Sequence, residues 1–188
     1  MPLHRLNIDH DRLAREGGTS IDWDISRFRV CYARSDDGIT WEKPPTGVVG
    51  EDGHDTNIVF GDESYGNVWG LTLLDDPLET DPARRYKGLV GHPGVGGLCP
   101  AISADGMEWQ RLDVPAVPSG DESQFTYDPY GEQFIAMVKH GTDWGRSVFL
   151  ATSPDGEHYS DQELIFHTDE TDWENCRQRV RAYLDDPG

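Results

Sequence analysis

One frame recurs three times along the chain, Ser-x-Asp-Gly-x-x-aromatic, and it constrains the fold more than any other feature. It reads Ser35-Asp36-Asp37-Gly38-Ile39-Thr40-Trp41, then Ser103-Ala104-Asp105-Gly106-Met107-Glu108-Trp109, then Ser153-Pro154-Asp155-Gly156-Glu157-His158-Tyr159. Self-similarity on this scale marks a repeat architecture, in which each unit buries apolar surface against its neighbours. The local chemistry is that of a hairpin turn. Asp-Gly supplies the positive φ that tight turns need, Ser and Asp side chains bond nearby backbone N–H groups, and the aromatic opens the returning strand.

A strand-like run precedes each frame, over residues 27–33, 97–102 and 147–152. Pro100 inside the second run predicts an edge or a bulge. Further strand-like segments fall at 57–60, 67–73 and 86–91, and at 124–127 and 133–138 across the turn Asp128-Pro129-Tyr130-Gly131-Glu132. Each full unit therefore carries about four strands, the content of a propeller blade. With 21 Gly and 12 Pro in 188 residues, nearly every window long enough for a helix is interrupted. The exception is the tail 171–184, where Thr171 is placed to cap and Arg177, Arg179 and Arg181 follow an acidic start.

The expected architecture is all-β: a partial β-propeller of about two and a half four-stranded blades, with a short C-terminal helical segment. Residues 1–188 form one such domain, divided into a blade fragment 27–45, a blade 55–113, a blade 121–167 and the helical tail. Propellers hide their edges by closing a ring, usually of about four to eight blades. Two and a half blades do not close one. The expectation is that the natural protein is longer, or that copies self-associate through open blade edges.

Sixteen Lys and Arg against 35 Asp and Glu give a net charge of −19. Such a surface repels phosphate backbones and anionic lipid, so neither nucleic acid nor membrane is expected as a partner. It fits a neutral substrate or plain solubility. Cys31, Cys99 and Cys176 are odd in number and lack a CxxC pair, and they read as small buried hydrophobes rather than as disulfides or zinc ligands. His54, His92 and His140 sit beside Gly or Pro without ligand spacing, so no metal or other cofactor is expected. The N-terminus has no signal-peptide pattern, but if the chain is truncated this leaves the compartment unknown.

The first frame, with Thr40-Trp41 closing it, resembles the Asp-box of sialidases and related propellers. The wider set, Tyr32 to Pro44 with Arg85-Tyr86-Lys87 and Tyr127-Asp128-Pro129, is similar to the five-bladed propeller superfamily of family 32 and 43 glycoside hydrolases, in a glycosyl-hydrolase-like branch. The resemblance implies a carbohydrate substrate and carboxylates projecting into a central cavity from the innermost strands. One serves as base or nucleophile, one as acid and one as an orienting group, as acetal hydrolysis demands. The family 32 signatures Trp-x-Asn-Asp-Pro-Asn-Gly, Arg-Asp-Pro and Glu-Cys are absent.

The candidate catalytic residues are Asp55, before the segment 57–60, and Asp121 and Glu122, before the segment 123–127. Equivalent positions in successive units are where cavity carboxylates belong; the other reading makes all three solvated turn residues. Arg146 is a candidate sugar-hydroxyl ligand or a structural ion-pair partner. Trp69 and Trp144 are candidate stacking faces or packing residues. The function expected is carboxylate acid/base chemistry on a carbohydrate by a glycoside-hydrolase-like propeller, incomplete in this chain, against a non-catalytic carbohydrate-binding or structural propeller fragment.

Overall fold

The computed structural model describes residues 29–60, 68, 70–76, 78–92, 95–121 and 123–185. The described chain is mostly β-strand with one helix. Two antiparallel meanders dominate it. The first runs β5 (Gly70–Asp75), β6 (Tyr86–His92), β7 (Gly97–Ser103), β8 (Trp109–Arg111), with β9 (Val117–Pro118) also pairing with β7. The second runs β10 (Gln124–Asp128), β11 (Gln133–Thr142), β12 (Gly145–Ser153), β13 (Glu163–Phe166). Before them lie β1 (Val30–Cys31) paired with β4 (Ile58–Phe60), and a small hairpin of β2 (Gly50–Glu51) and β3 (His54–Asp55).

Period-2 alternation explains how these sheets stack. In β6 and β7, Leu89 and Leu98 face one way while Val90 and Cys99 face the other. The first pair joins Val117, Phe125, Phe134, Ala136 and Val138 in a core shared with the second meander. The second pair joins Phe60, Val68, Ala101 and Trp109 in a core shared with the β1–β4 pair. The first meander is thus buried on both faces, which accounts for its unbroken apolar run in β7. Each fully buried Leu or Val contributes about 1.5–3 kcal/mol. The first strands of the two meanders, β5 and β10, also lie against each other.

All three Ser-x-Asp-Gly frames adopt one geometry. The Ser Oγ accepts from the Gly N–H at 2.8 Å in the first, 2.9 Å in the second and 2.8 Å in the third. The Asp Oδ1 accepts from the next two backbone N–H groups beyond the Gly, at 2.7–3.0 Å. The three glycines have φ of 73°, 78° and 76°, the left-handed region that this turn requires. The second and third frames each join the third strand of a meander to its fourth, and the first spans the Arg34–Glu42 bridge.

Several expectations are corrected. Ile58–Phe60 does not head the first meander, which begins at Gly70; its three buried side chains pair and pack with β1 instead. Cys99 is buried, but Cys31 and Cys176 are exposed. Cys31 follows core-facing Val30 and so points away, and Cys176 lies on a helix with no buried residue. That helix, α1 (Glu170–Asp185), starts before Thr171. Asp169 Oδ1 accepts from the Asp172 N–H at 3.0 Å and Asp172 Oδ2 from the Asp169 N–H at 3.1 Å, a reciprocal cap that displaces Thr171. Pro100 stands in an inner strand, paired with Leu89. Its missing N–H falls where β8 pairing, from Ala101, gives way to β9 pairing, from Leu98, while its carbonyl accepts from Leu112.

Candidate functional site

Asp121 pairs with Arg146 at the β11–β12 hairpin end of the second meander, and Trp144 lies on the same hairpin. The third Asp-Gly turn lies at the other end of β11, ten residues and about 30 Å long. Asp121 sits between β9 and β10, and two buried serines fix its backbone. Ser119 Oγ donates to the Asp121 carbonyl at 2.9 Å and lies 3.0 Å from Ser123 Oγ. The Gly120 N–H donates to the Lys139 carbonyl at 2.8 Å, and the Lys139 N–H to Ser119 Oγ at 3.3 Å. The loop is therefore sewn to β11 before its carboxylate does anything.

That carboxylate faces two cations. Asp121 Oδ2 lies 2.9 Å from Arg146 Nη1 and 3.5 Å from Lys139 Nζ. Arg146 is 73% exposed at its side chain, so the guanidinium presents most of its donors to solvent. Two cations thus flank one carboxylate on a strongly acidic chain. Trp144 caps the same hairpin, half-exposed, with its ring 5.5 Å from that of His167. The Thr142 hydroxyl accepts from the Trp144 N–H and lies 2.8 Å from Ser147 Oγ, and Thr168 donates to the Trp144 carbonyl. The hairpin is thereby held in one shape.

The structure brings Asp121 and Arg146 together and places Trp144 on the same hairpin. Asp55 goes elsewhere. It is exposed in the β2–β3 hairpin, where its ladder partner is Gly50, whereas the cations paired with Asp121 come from β11 and β12. Its expected place at the head of an inner strand fails because the chain turns through that hairpin before β4. Glu122 and Trp69 lie outside the described residues. His54 and His140 belong to strands, and His140 Nε2 lies 2.6 Å from Gln162 Oε1. No cluster of three or more His, Cys, Asp or Glu among the described residues has metal-site geometry.

The turn carboxylates are committed to backbone N–H groups. Asp37 is held down to about 2, by the Thr40 N–H first and then by Ile39 and Ser35. Asp105 and Asp155 are each pushed up by burial, but their hydrogen bonds outweigh it and both end below the usual carboxylate range. A shallow depression lined by Ala83, Ser103, Asp105, Glu108 and Trp109 borders the second turn, away from Asp121.

Sequence reasoning missed a buried ionic cluster between the meanders. Lys87 Nζ lies 3.0 Å from Asp76 Oδ2 and 3.2 Å from Glu79 Oε2, and Arg84 pairs with Glu157. The available signal was a lysine inside an apolar strand, Lys87 in β6. Ser119 and Ser123 were equally silent, since isolated serines carry no pattern.

No family model matches the chain, and no curated protein matches it. Among solved structures it is similar to the crystal structure of an N-acetylgalactosamine deacetylase from F. plautii in complex with blood group B trisaccharide. The match covers 53% of this chain and 31% of that one, at 18% identity and a TM-score of 0.38. A likeness of that grade does not extend to activity.

Proposed function

We propose that the chain is a run of β-propeller blades of glycoside-hydrolase type whose sugar site includes Asp121. The observation that carries the reading is the Asp121–Arg146 pair, at the end of the second meander away from its Asp-Gly turn. Sugar recognition needs carboxylate and guanidinium groups for hydroxyls and an aromatic face for ring C–H groups. Asp121, Arg146 and Trp144 supply one of each. The repeated turn and the face-to-face meanders with adjacent first strands support the blade reading.

For hydrolysis, Asp121 serves as the base, nucleophile or orienting carboxylate, because its two cations suit it to accepting hydrogen bonds. The proton donor comes from Glu122, and Trp69 adds a second stacking face. A non-catalytic carbohydrate-binding role is favoured by a specific observation: Asp121 is held in ion pairs with Arg146 and Lys139, as a carboxylate that anchors a binding surface is.

The test is a screen of the purified chain against aryl glycosides and plant and microbial oligosaccharides, reading hydrolysis and binding separately. Hydrolysis abolished in Asp121→Asn, with unfolding unchanged, supports the enzyme. Binding without turnover, weakened in Arg146→Ala, supports the binding module. Absence of both contradicts the carbohydrate reading.

A further inference from the structure

Among the described residues, the second meander packs one face into the shared core and leaves the other partly exposed. Phe134, Ala136 and Val138 of β11 point into the shared core, with Phe149 and Ala151 of β12. Their alternates Ile135, Met137, Val148 and Leu150 line the outer face, where Met137 is paired with Leu150 and Val148 with Phe166. Met137 and Phe166 are exposed large apolar groups.

Within the chain, a face of this kind is covered in one consistent way. The aromatic that ends the second and the third frame packs back toward the preceding unit. Trp109 joins the core with Phe60 and Val30, and Tyr159 joins the core with Leu89, Leu98 and Leu74. Trp41 holds the equivalent position in the first frame. Its Nε1 donates to the Gly38 carbonyl at 3.3 Å, as Trp109 Nε1 donates to the Gly106 carbonyl at 2.9 Å. Yet Trp41 is 59% exposed where Trp109 is 6% exposed, and neighbouring Ile39 is exposed as well. The described residues therefore present both halves of the interface that the chain uses internally: the exposed Trp41 of the first frame and, on the second meander, a partly exposed apolar face around Met137.

We propose that two copies of this chain associate head to tail, the Trp41 frame of one copy packing on the Met137–Leu150 face of the next. The contact is heterologous, because the two patches differ, so after pairing one copy retains a free sheet face and the other a free Trp41 frame. It is independent of any sugar chemistry and stands or falls apart from the carbohydrate reading.

The experiment is sedimentation velocity on the full chain over a concentration series, with Trp41→Ala and Met137→Lys. Both side chains are partly exposed, and circular dichroism verifies that each variant folds. The wild type is expected to grow in sedimentation coefficient with concentration. Each variant alone is expected to remain monomeric. An equimolar mixture of the two is expected to form a dimer and nothing larger, since W41A keeps a free sheet face and M137K a free aromatic. A monomeric wild type at all concentrations, or variants that still self-associate, or a mixture that stays monomeric, overturns the proposal.

Discussion

The Lys87 ammonium of β6 donates across the boundary between the two meanders to the carbonyl oxygen of Asp155, 3.0 Å away. The same ammonium lies 5.2 Å from the centre of the Phe134 ring and pairs with Asp76 and Glu79. A buried cation thus links the β5–β6 loop of one sheet to the Asp-Gly turn of the next. Removing it leaves the buried Asp76 carboxylate without its cation. Lys87→Met is expected to cost about 3–5 kcal/mol, and Lys87→Met with Asp76→Asn appreciably less. Urea unfolding measures both, and an unchanged midpoint for the single variant contradicts this role.

The turn glycines are expected to differ in sensitivity. At Gly38 an added Cβ meets nothing within 4 Å, so Gly38→Ala carries only the left-handed strain of about 1–2 kcal/mol. At Gly156 the same Cβ lies 3.0 Å from Lys87 Cδ and 3.4 Å from the Phe134 ring. Gly156→Ala is therefore expected to destabilise more than Gly38→Ala, although the two frames are alike in sequence. Equal losses in thermal unfolding would show that the third turn is not packed against the first meander.

Tyr159 replaces the Trp of the other two frames and lacks an indole N–H to give to the Gly carbonyl. Its hydroxyl is buried without a hydrogen-bond partner among the described residues, and burial pushes its ionisation well up. Tyr159→Phe is expected to be neutral or to stabilise by about 1–2 kcal/mol, the desolvation cost of an orphaned hydroxyl. A clear loss of stability on that change would reveal a partner for the hydroxyl.

Acid sensitivity follows from the turns. The folded-state values of Asp37, Asp105, Asp155 and Glu79 lie below their ordinary ones, so these groups favour the folded state when ionised. Their contribution is fully present above the unfolded carboxylate range of about 4 and falls as pH drops through the folded values, reaching about 2 for Asp37. Stability is expected to decline between about pH 4 and pH 2. In Asp105→Asn with Asp155→Asn the decline should be shallower, which a pH series of urea midpoints measures.

Local features were legible in the sequence, and long-range ones were not. The three turns were readable because each is closed by bonds within seven consecutive residues, such as Ser103 Oγ to Gly106 and Asp105 Oδ1 to Glu108. The partner of Ile58–Phe60 was not, because an apolar run states that it is buried and not by which strand. Asp121 was singled out by its place before β10, but its cations come from β11 and β12 through hairpin register. The helix start was misplaced by one cap, since Thr171 and Asp169 are both suitable and only backbone geometry chooses.

The proposed carbohydrate site is tested most directly by titrating a glycan that passes the screen into 15N-labelled protein and following the tryptophan indole resonances. The Trp144 indole is expected to move in a saturable way while Trp109 stays fixed beneath its turn, and Arg146→Ala is expected to weaken the apparent affinity at least tenfold while leaving the fold intact. Arg146 is largely exposed, so its loss should change stability by no more than about 1 kcal/mol. A glycan that binds while Trp144 stays still, or with undiminished affinity in Arg146→Ala, contradicts the placement of the site at the β11–β12 hairpin.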